Sequence, residues 1–197
     1  TPIAAISPFM MQAVLAHEDA GFFHHHGFAT GEIRTALVRD LAARRYVQGA
    51  STITMQLVKN LFLRREKTLA RKVQEVLLTW WIERALDKAR ILELYLNVIE
   101  YGPRIYGIRH AAEHYFGKTP SELTPAECAY LAMILPNPKS FHEQYEAGAV
   151  PQRFLDRVAA FLRRELSKNR IDQAALDDGL AELAHFEFHR EGDARTP

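Results

Sequence analysis

The chain predicts a mainly helical protein, and three observations carry that reading. Apolar residues recur near a helical period in most segments, glycine and proline cluster between those segments, and no alternating strand pattern of convincing length occurs. The glycine and proline clusters fall at 27 to 31, 49, 102 to 107, 117 to 125, 136 to 138 and 148 to 151, so they divide the chain into pieces of helical length.

Ser7-Pro8 opens a first helix through "FMMQAVLAHEDA", with Pro8 at the first helical position, where a missing N–H costs nothing. Glu18 and Asp19 therefore fall at its C-terminal end. A second short helix is expected near "GEIRTALVRDLAARR", and a third begins in "GASTITMQLVKNLFL", where Ser51 or Thr52 can cap the free amides. Residues 68 to 86 read as one long helix, with Leu69, Val73, Val76, Leu77, Trp80 and Ile82 near a roughly 3.6-residue period. "KARILELYLNVI", "IRHAAEHYFG" and "TPAECAYLAMIL" continue the pattern, the last with Pro125 placed for helix entry. After "PNPKSF" the composition shifts to an Arg/Glu/Ala-rich tail over 151 to 185, which suggests two exposed helices packed on the body, and the final "HREGDARTP" is expected to be disordered.

Composition bounds the function. At 197 residues with 48% apolar and 25% charged residues, the chain has the make-up of an ordinary globular protein. Its 25 basic and 24 acidic residues nearly cancel, so overall charge calls for no nucleic-acid partner. A single cysteine, Cys128, excludes an internal disulfide, and its place in a periodic apolar run marks a buried structural thiol. The apolar run "VLLTWWI" is far shorter than the roughly 20 residues that span a bilayer. No secretory signal is visible, and the abrupt start "TPIAAISPFM" is compatible with an excised domain.

The chemistry concentrates in two regions. In "HEDAGFFHHHGF", Glu18 lies near Phe22, Phe23 and Phe28, apolar neighbours of the kind that make a glutamate a useful proton acceptor. Asp19 can bond backbone amides beyond the helix end. His17, His24, His25 and His26 invite a zinc reading, but no second Cys/His cluster of ligand spacing appears; the protein alone builds no metal site in this reading. "GASTITMQ" is a hydroxyl-rich helix start of the sort that can meet an anion. Downstream, Lys59, Arg64, Arg65, Lys67, Arg71 and Lys72 make a local basic cluster. Arg71 and Lys72 stand four and three residues before Glu75, the spacing of ordinary intrahelical ion pairs, and also of a cation clamp for a diphosphate with a second carboxylate fixed beside it.

These stretches, in this order, resemble the peptidoglycan glycosyltransferases of glycosyltransferase family 51, which includes monofunctional transglycosylases and the glycosyltransferase domain of class A penicillin-binding proteins. "EDAGFFHHHG" is similar to E-D-x-x-F-x-x-H-x-G through Glu18, Asp19, Phe22, His25 and Gly27. "GASTITMQ" is similar to G-G-S-T-I-T-Q-Q except at Ala50 and Met55, and "RKVQE" to R-K-x-x-E. "KARILELYLN" is similar to K-x-x-I-L-E-x-Y-L-N, and "YGIRHAAEHYFGK" and "LTPAECAYLAMILPNP" follow as the family's later blocks do, over about residues 8 to 140.

The resemblance implies a lysozyme-like helical domain with a small mobile jaw at about 29 to 48. It implies a glycosyltransferase domain over 1 to 150, with 151 to 197 a C-terminal helical extension and disordered tail of the same domain. The implied activity is polymerisation of lipid II into β-1,4-linked glycan strands, with inversion and release of undecaprenyl diphosphate. Glu18 is then the general base and Glu75 the second active-site carboxylate at the donor side. Lys59, Arg71 and Lys72 match residues that handle phosphate, and Asp19, Ser51, Thr52, Gln56 and Asn97 match polar lining or structural positions. A divalent cation, Mg2+ or Mn2+, is expected with the substrate diphosphate, and no organic cofactor. The implied partners are lipid II, the growing glycan chain, a membrane surface and cell-wall synthesis proteins; the implied place is the extracytoplasmic face of the bacterial cytoplasmic membrane, with the anchor outside this chain.

Arg104 stands where the family often has glycine, which predicts a differently shaped loop, and no Ser-x-x-Lys, Ser-x-Asn and Lys-Thr-Gly set of a transpeptidase occurs. Two rival readings remain: a lysozyme-like enzyme that cleaves finished glycan, and a catalytically inactive cell-wall-binding module.

Overall fold

A computed structural model describes residues 1–28, 51–63 and 68–189. The expected second helix, the jaw, Ala50, the basic residues Arg64, Arg65 and Lys67, and the tail from 190 onward lie outside the described residues. The mainly helical expectation holds: the described elements are helical apart from one short hairpin. In chain order they are α1 (Pro8–Glu18), α2 (Ile53–Phe62), α3 (Leu69–Ala85), α4 (Lys88–Val98), β1 (Glu100–Gly102), β2 (Ile105–Tyr106), α5 (Ile108–Phe116), α6 (Pro125–Ile134), α7 (Pro138–Ala147), α8 (Gln152–Ser167) and α9 (Gln173–Leu183), with 3-10 turns at Ile3–Ala5 and Phe22–His24. The chain forms two compact units, one of Thr1–His17 with Ile99–Pro197 and one of Glu18–Val98.

In the first unit α6 is the central helix, because "AECAYLAMI" offers small or apolar side chains all the way round; every residue from Ala126 to Ile134 is buried. Its start is locked by a capping box: the Thr124 hydroxyl accepts Glu127 N–H at 3.2 Å and Glu127 accepts Thr124 N–H at 2.9 Å. The buried Glu127 carboxylate is also paired with Lys118 at 2.7 Å. Both α8 and α9 pack on α6. The expected two helices of the tail thus pack on the body: α8 buries Phe154, Leu155, Val158, Phe161 and Leu162 and keeps Arg153, Arg157, Arg163 and Arg164 exposed. Burial pushes the Cys128 thiol above its ordinary pKa and keeps it protonated, as a structural thiol should be.

Two elements of this unit escape the sequence pattern. The antiparallel hairpin pairs Glu100 with Tyr106 and Gly102 with Ile105, and strands of three and two residues are too short to show alternation. Between them Arg104 has φ 64°, the left-handed conformation that glycine adopts without strain. The second is α7, which begins at Pro138 and packs on β1. Read as loop punctuation, that proline instead sits at the first helical turn.

The second unit is built from α2, α3 and α4, with α2 packed against both of the others. Its apolar centre is Phe22, Ile53, Leu57, Val58, Ile91, Leu92, Tyr95 and Leu96. The long helix α3 forms where the sequence expects it, at Leu69–Ala85, with its apolar side turned outward. Among its apolar positions Ile82 is buried, whereas Val73, Val76, Leu77, Trp80 and Trp81 are exposed, Trp81 by 62%. The positions α3 buries are Glu75, Thr79 and Ile82, so a largely polar stripe faces inward and an apolar stripe outward among the described residues. Periodicity identified residues that share a face but not which face is covered.

Candidate active site

Glu18 is the last residue of α1, and the chain then turns through Phe22–His24 to Gly27. The turn is fixed by stitches to the start of α2. Asp19, 3% exposed, accepts the backbone N–H of Ile53 at 3.1 Å. The same carboxylate takes His25 Nε2 at 2.9 and 3.1 Å, and since an ionised carboxylate only accepts, Nε2 carries the proton. Thr52 donates its hydroxyl to Gly27 O at 2.7 Å and accepts Met55 N–H at 3.2 Å, so it caps α2 and holds the turn with one oxygen. Gly27 has φ 84°, and a Cβ there would lie 2.8 Å from Thr79 Cγ2 and 3.0 Å from Glu83 Cγ. Only glycine fits that approach.

The scaffold sets Gln56, one turn beyond Thr52, against the candidate base. Gln56 Nε2 donates to Glu18 Oε2 at 2.8 Å, and Tyr95 Oη from α4 donates to Gln56 Oε1 at 3.1 Å. The expected apolar collar is only partly present. Phe22 is fully buried beneath Phe23 and His25 and carries Lys88 Nζ 4.3 Å over its ring, whereas Phe23 is more than half exposed. A polar amide is thus a direct partner of Glu18. His24 and His26 are exposed, in keeping with solvated residues, and His25 serves the loop architecture.

On α3, capped by the Thr68 hydroxyl at Arg71 N–H, the second candidate carboxylate is 3% exposed. Arg71 Nη1 reaches Glu75 Oε2 at 3.2 Å and Lys72 Nζ reaches Glu75 Oε1 at 2.5 Å. The intrahelical ion pairs therefore form, and each carboxylate oxygen has its own cation. Lys72 remains half-exposed and keeps donor capacity for an anion, whereas the Arg71 Nε is buried without a partner among the described residues. No group of three or more His, Cys, Asp or Glu is placed to hold a metal among the described residues. With both Glu75 oxygens engaged by cations, the residues present do not fit a resident metal ion.

The other expected site residues lie in the same compact unit. Lys59 is exposed in the last turn of α2, Ser51 is half-buried immediately before the cap, and Asn97 Nδ2 donates to Glu93 O of its own helix at 2.8 Å. Two contributors were given no role from the sequence. One is Tyr95, which falls on the tyrosine of the K-x-x-I-L-E-x-Y-L-N motif and is a tyrosine in an otherwise apolar face of Ile91, Leu92 and Leu96. The other is Glu83, whose Oε1 accepts from the Thr54 hydroxyl and from Lys88 Nζ, the latter at 2.8 Å, and so ties α2, α3 and the start of α4 together.

The chain is similar to known proteins over most of its length. Relatives named biosynthetic peptidoglycan transglycosylase occur in Nitrosomonas eutropha, 49% identical over 81% of this chain and 64% of the relative. Others are found in Acinetobacter baumannii, 46% identical over 70% of this chain and 61% of the relative, and in Paraburkholderia xenovorans, 45% identical over 77% and 63%. The chain spans somewhat over three fifths of the length of these curated relatives. The family described as Transglycosylase matches residues 1–165, which covers both candidate carboxylates and the helices that hold them. The chain belongs to the transglycosylase family.

Proposed function

We propose that this chain is the catalytic domain of a peptidoglycan transglycosylase that polymerises lipid II into β-1,4-linked glycan with inversion. The observation that carries the reading is one compact unit holding a helix-end glutamate, clasped by Gln56, together with an Arg71–Lys72–Glu75 cluster of two cations on one buried carboxylate. The names borne by the relatives point the same way.

In this reading Glu18 takes the proton from the 4-hydroxyl of the acceptor sugar as that oxygen attacks the anomeric carbon of the growing chain. The new C–O bond forms as the bond to the diphosphate breaks, and the leaving undecaprenyl diphosphate carries off the electron pair. A single displacement inverts the anomeric centre. Lys59, Arg71 and Lys72 stabilise the negative charge that develops on the leaving group, and Glu75 holds the last two in place. Asp19, Ser51, Thr52, Gln56 and Asn97 organise the cleft walls. A divalent cation would enter with the diphosphate, and no step is assigned to it.

A lipid-linked donor requires work at a membrane surface. The exposed stripe of Val73, Val76, Leu77, Trp80 and Trp81 on α3 supports such a surface here. No described helix is long and apolar enough to cross a membrane. The reading puts the domain on the extracytoplasmic face of the cytoplasmic membrane, beside other cell-wall synthesis proteins. A lysozyme-like hydrolase is the weaker reading because cleavage of finished glycan makes no use of a diphosphate clamp. The test is to supply the full anchored protein with labelled lipid II and a divalent cation, and separately with finished glycan. Long glycan chains from lipid II support the proposal; shortened glycan, or no product from either substrate, contradicts it.

A further inference from the structure

Tyr95 is fully buried, yet its hydroxyl reaches out of an apolar face to Gln56. The order of donors along Tyr95, Gln56 and Glu18 follows from chemistry. An ionised carboxylate can only accept, so the amide must turn its NH2 group toward Glu18. Its carbonyl oxygen then faces Tyr95, which must donate. The reversed amide would set a carbonyl oxygen against a carboxylate, so Glu18 fixes the sense of the amide, and the Tyr95 hydroxyl gives the amide a second anchor at its other end.

Resting on the reading of Glu18 as general base, we propose that Tyr95 is a positioning residue for the reaction: it anchors the far end of the Gln56 amide and thereby holds the hydrogen bond that orients the Glu18 carboxylate. Tyr95 does not touch substrate in this account. It acts through Gln56, and Gln56 acts on the orientation of the base. A phenylalanine would fill the same apolar space between α2 and α4 but would leave the amide held by one bond instead of two.

The experiment compares Tyr95→Phe, Gln56→Leu and the double variant in the full anchored protein, with lipid II as substrate. Tyr95→Phe is expected to lower kcat about ten-fold with KM for lipid II nearly unchanged, as misorientation of a catalytic group does. Gln56→Leu is expected to lose at least as much, and the double variant no more than Gln56→Leu alone, because the two residues act as one chain. Wild-type kcat in Tyr95→Phe, a change confined to KM, or losses that multiply in the double variant would overturn the proposal. A readout independent of turnover separates its failure from failure of the functional reading. With 15N-glutamine labelling of the anchored protein in detergent, the Gln56 side-chain NH2 signals, identified by their loss in Gln56→Leu, should exchange slowly with solvent in the wild type and rapidly in Tyr95→Phe. Equal exchange in both would refute the relay even if the enzyme polymerises lipid II.

Discussion

Asp19 accepts the backbone N–H of Ile53, and this bond ties the residue next to Glu18 to the first turn of the helix that presents Gln56. The carboxylate also holds His25, so its loss strands the buried Ile53 N–H and the part-buried His25 ring. Asp19→Ala should therefore destabilise the protein by about 2–4 kcal/mol, with activity falling further than the folded fraction alone explains. Urea unfolding followed in parallel with glycan synthesis checks both parts.

Gly27 offers a steric test of the same turn. Alanine there meets Thr79 Cγ2 and Glu83 Cγ at close range in a left-handed backbone conformation. Gly27→Ala should cost about 1–3 kcal/mol and lower the thermal midpoint, with kcat reduced because the turn carries Glu18 at its other end. An unchanged midpoint in calorimetry would show that the turn yields easily.

The exposed stripe of α3 predicts the opposite behaviour. Leu77→Ser and Trp81→Ser remove surface side chains, so stability should change by no more than about 0.5 kcal/mol. Binding to phospholipid vesicles should nevertheless weaken several-fold, which a sedimentation assay would measure. A large loss of stability with intact vesicle binding would mean that this stripe is packed rather than displayed.

How much of the fold and the site is legible in the amino-acid sequence depends on the kind of signal. Local chemistry reads well: Thr52, one of the two expected caps, caps α2, Pro125 starts α6, and His25, the histidine on the motif, serves the loop. Glu18, Glu75, Arg71 and Lys72 stand out through motif order, and the ion pairs on Glu75 follow from helix spacing. Burial reads poorly. The α3 pattern shows the same period whether its apolar side is inside or outside, and α8 looks like surface because its Arg and Glu residues outweigh a narrow apolar stripe in composition. The Tyr95–Gln56–Glu18 chain joins residues 39 and 38 positions apart, and no local rule links them.

Glu182 provides a pH test of the fold away from the site. Its carboxyl is raised above the ordinary glutamate pKa, first by burial and then by the Glu127 charge, against the opposing effects of the Thr124 hydroxyl and Lys118. The folded protein thus holds that proton more tightly than the unfolded chain. No penalty exists below the unfolded value of about 4.3, and stability is lost as pH rises from there through the folded value. Glu182→Gln should raise the thermal midpoint at pH 7.5, and the gain should vanish near pH 3.5. A gain of equal size at both pH values would contradict this assignment.

The assignment of Glu18 as the base of a polymerising transferase stands or falls with Glu18→Gln. Glutamine keeps the side-chain size and an oxygen for the Gln56 amide, so the thermal midpoint should stay close to wild type. Measured with labelled lipid II in the full anchored protein, glycan synthesis should fall by about a thousand-fold or more, in line with loss of a general base and its alignment. Glycan synthesis within a few-fold of wild type by a well-folded Glu18→Gln protein would show that Glu18 is not the base.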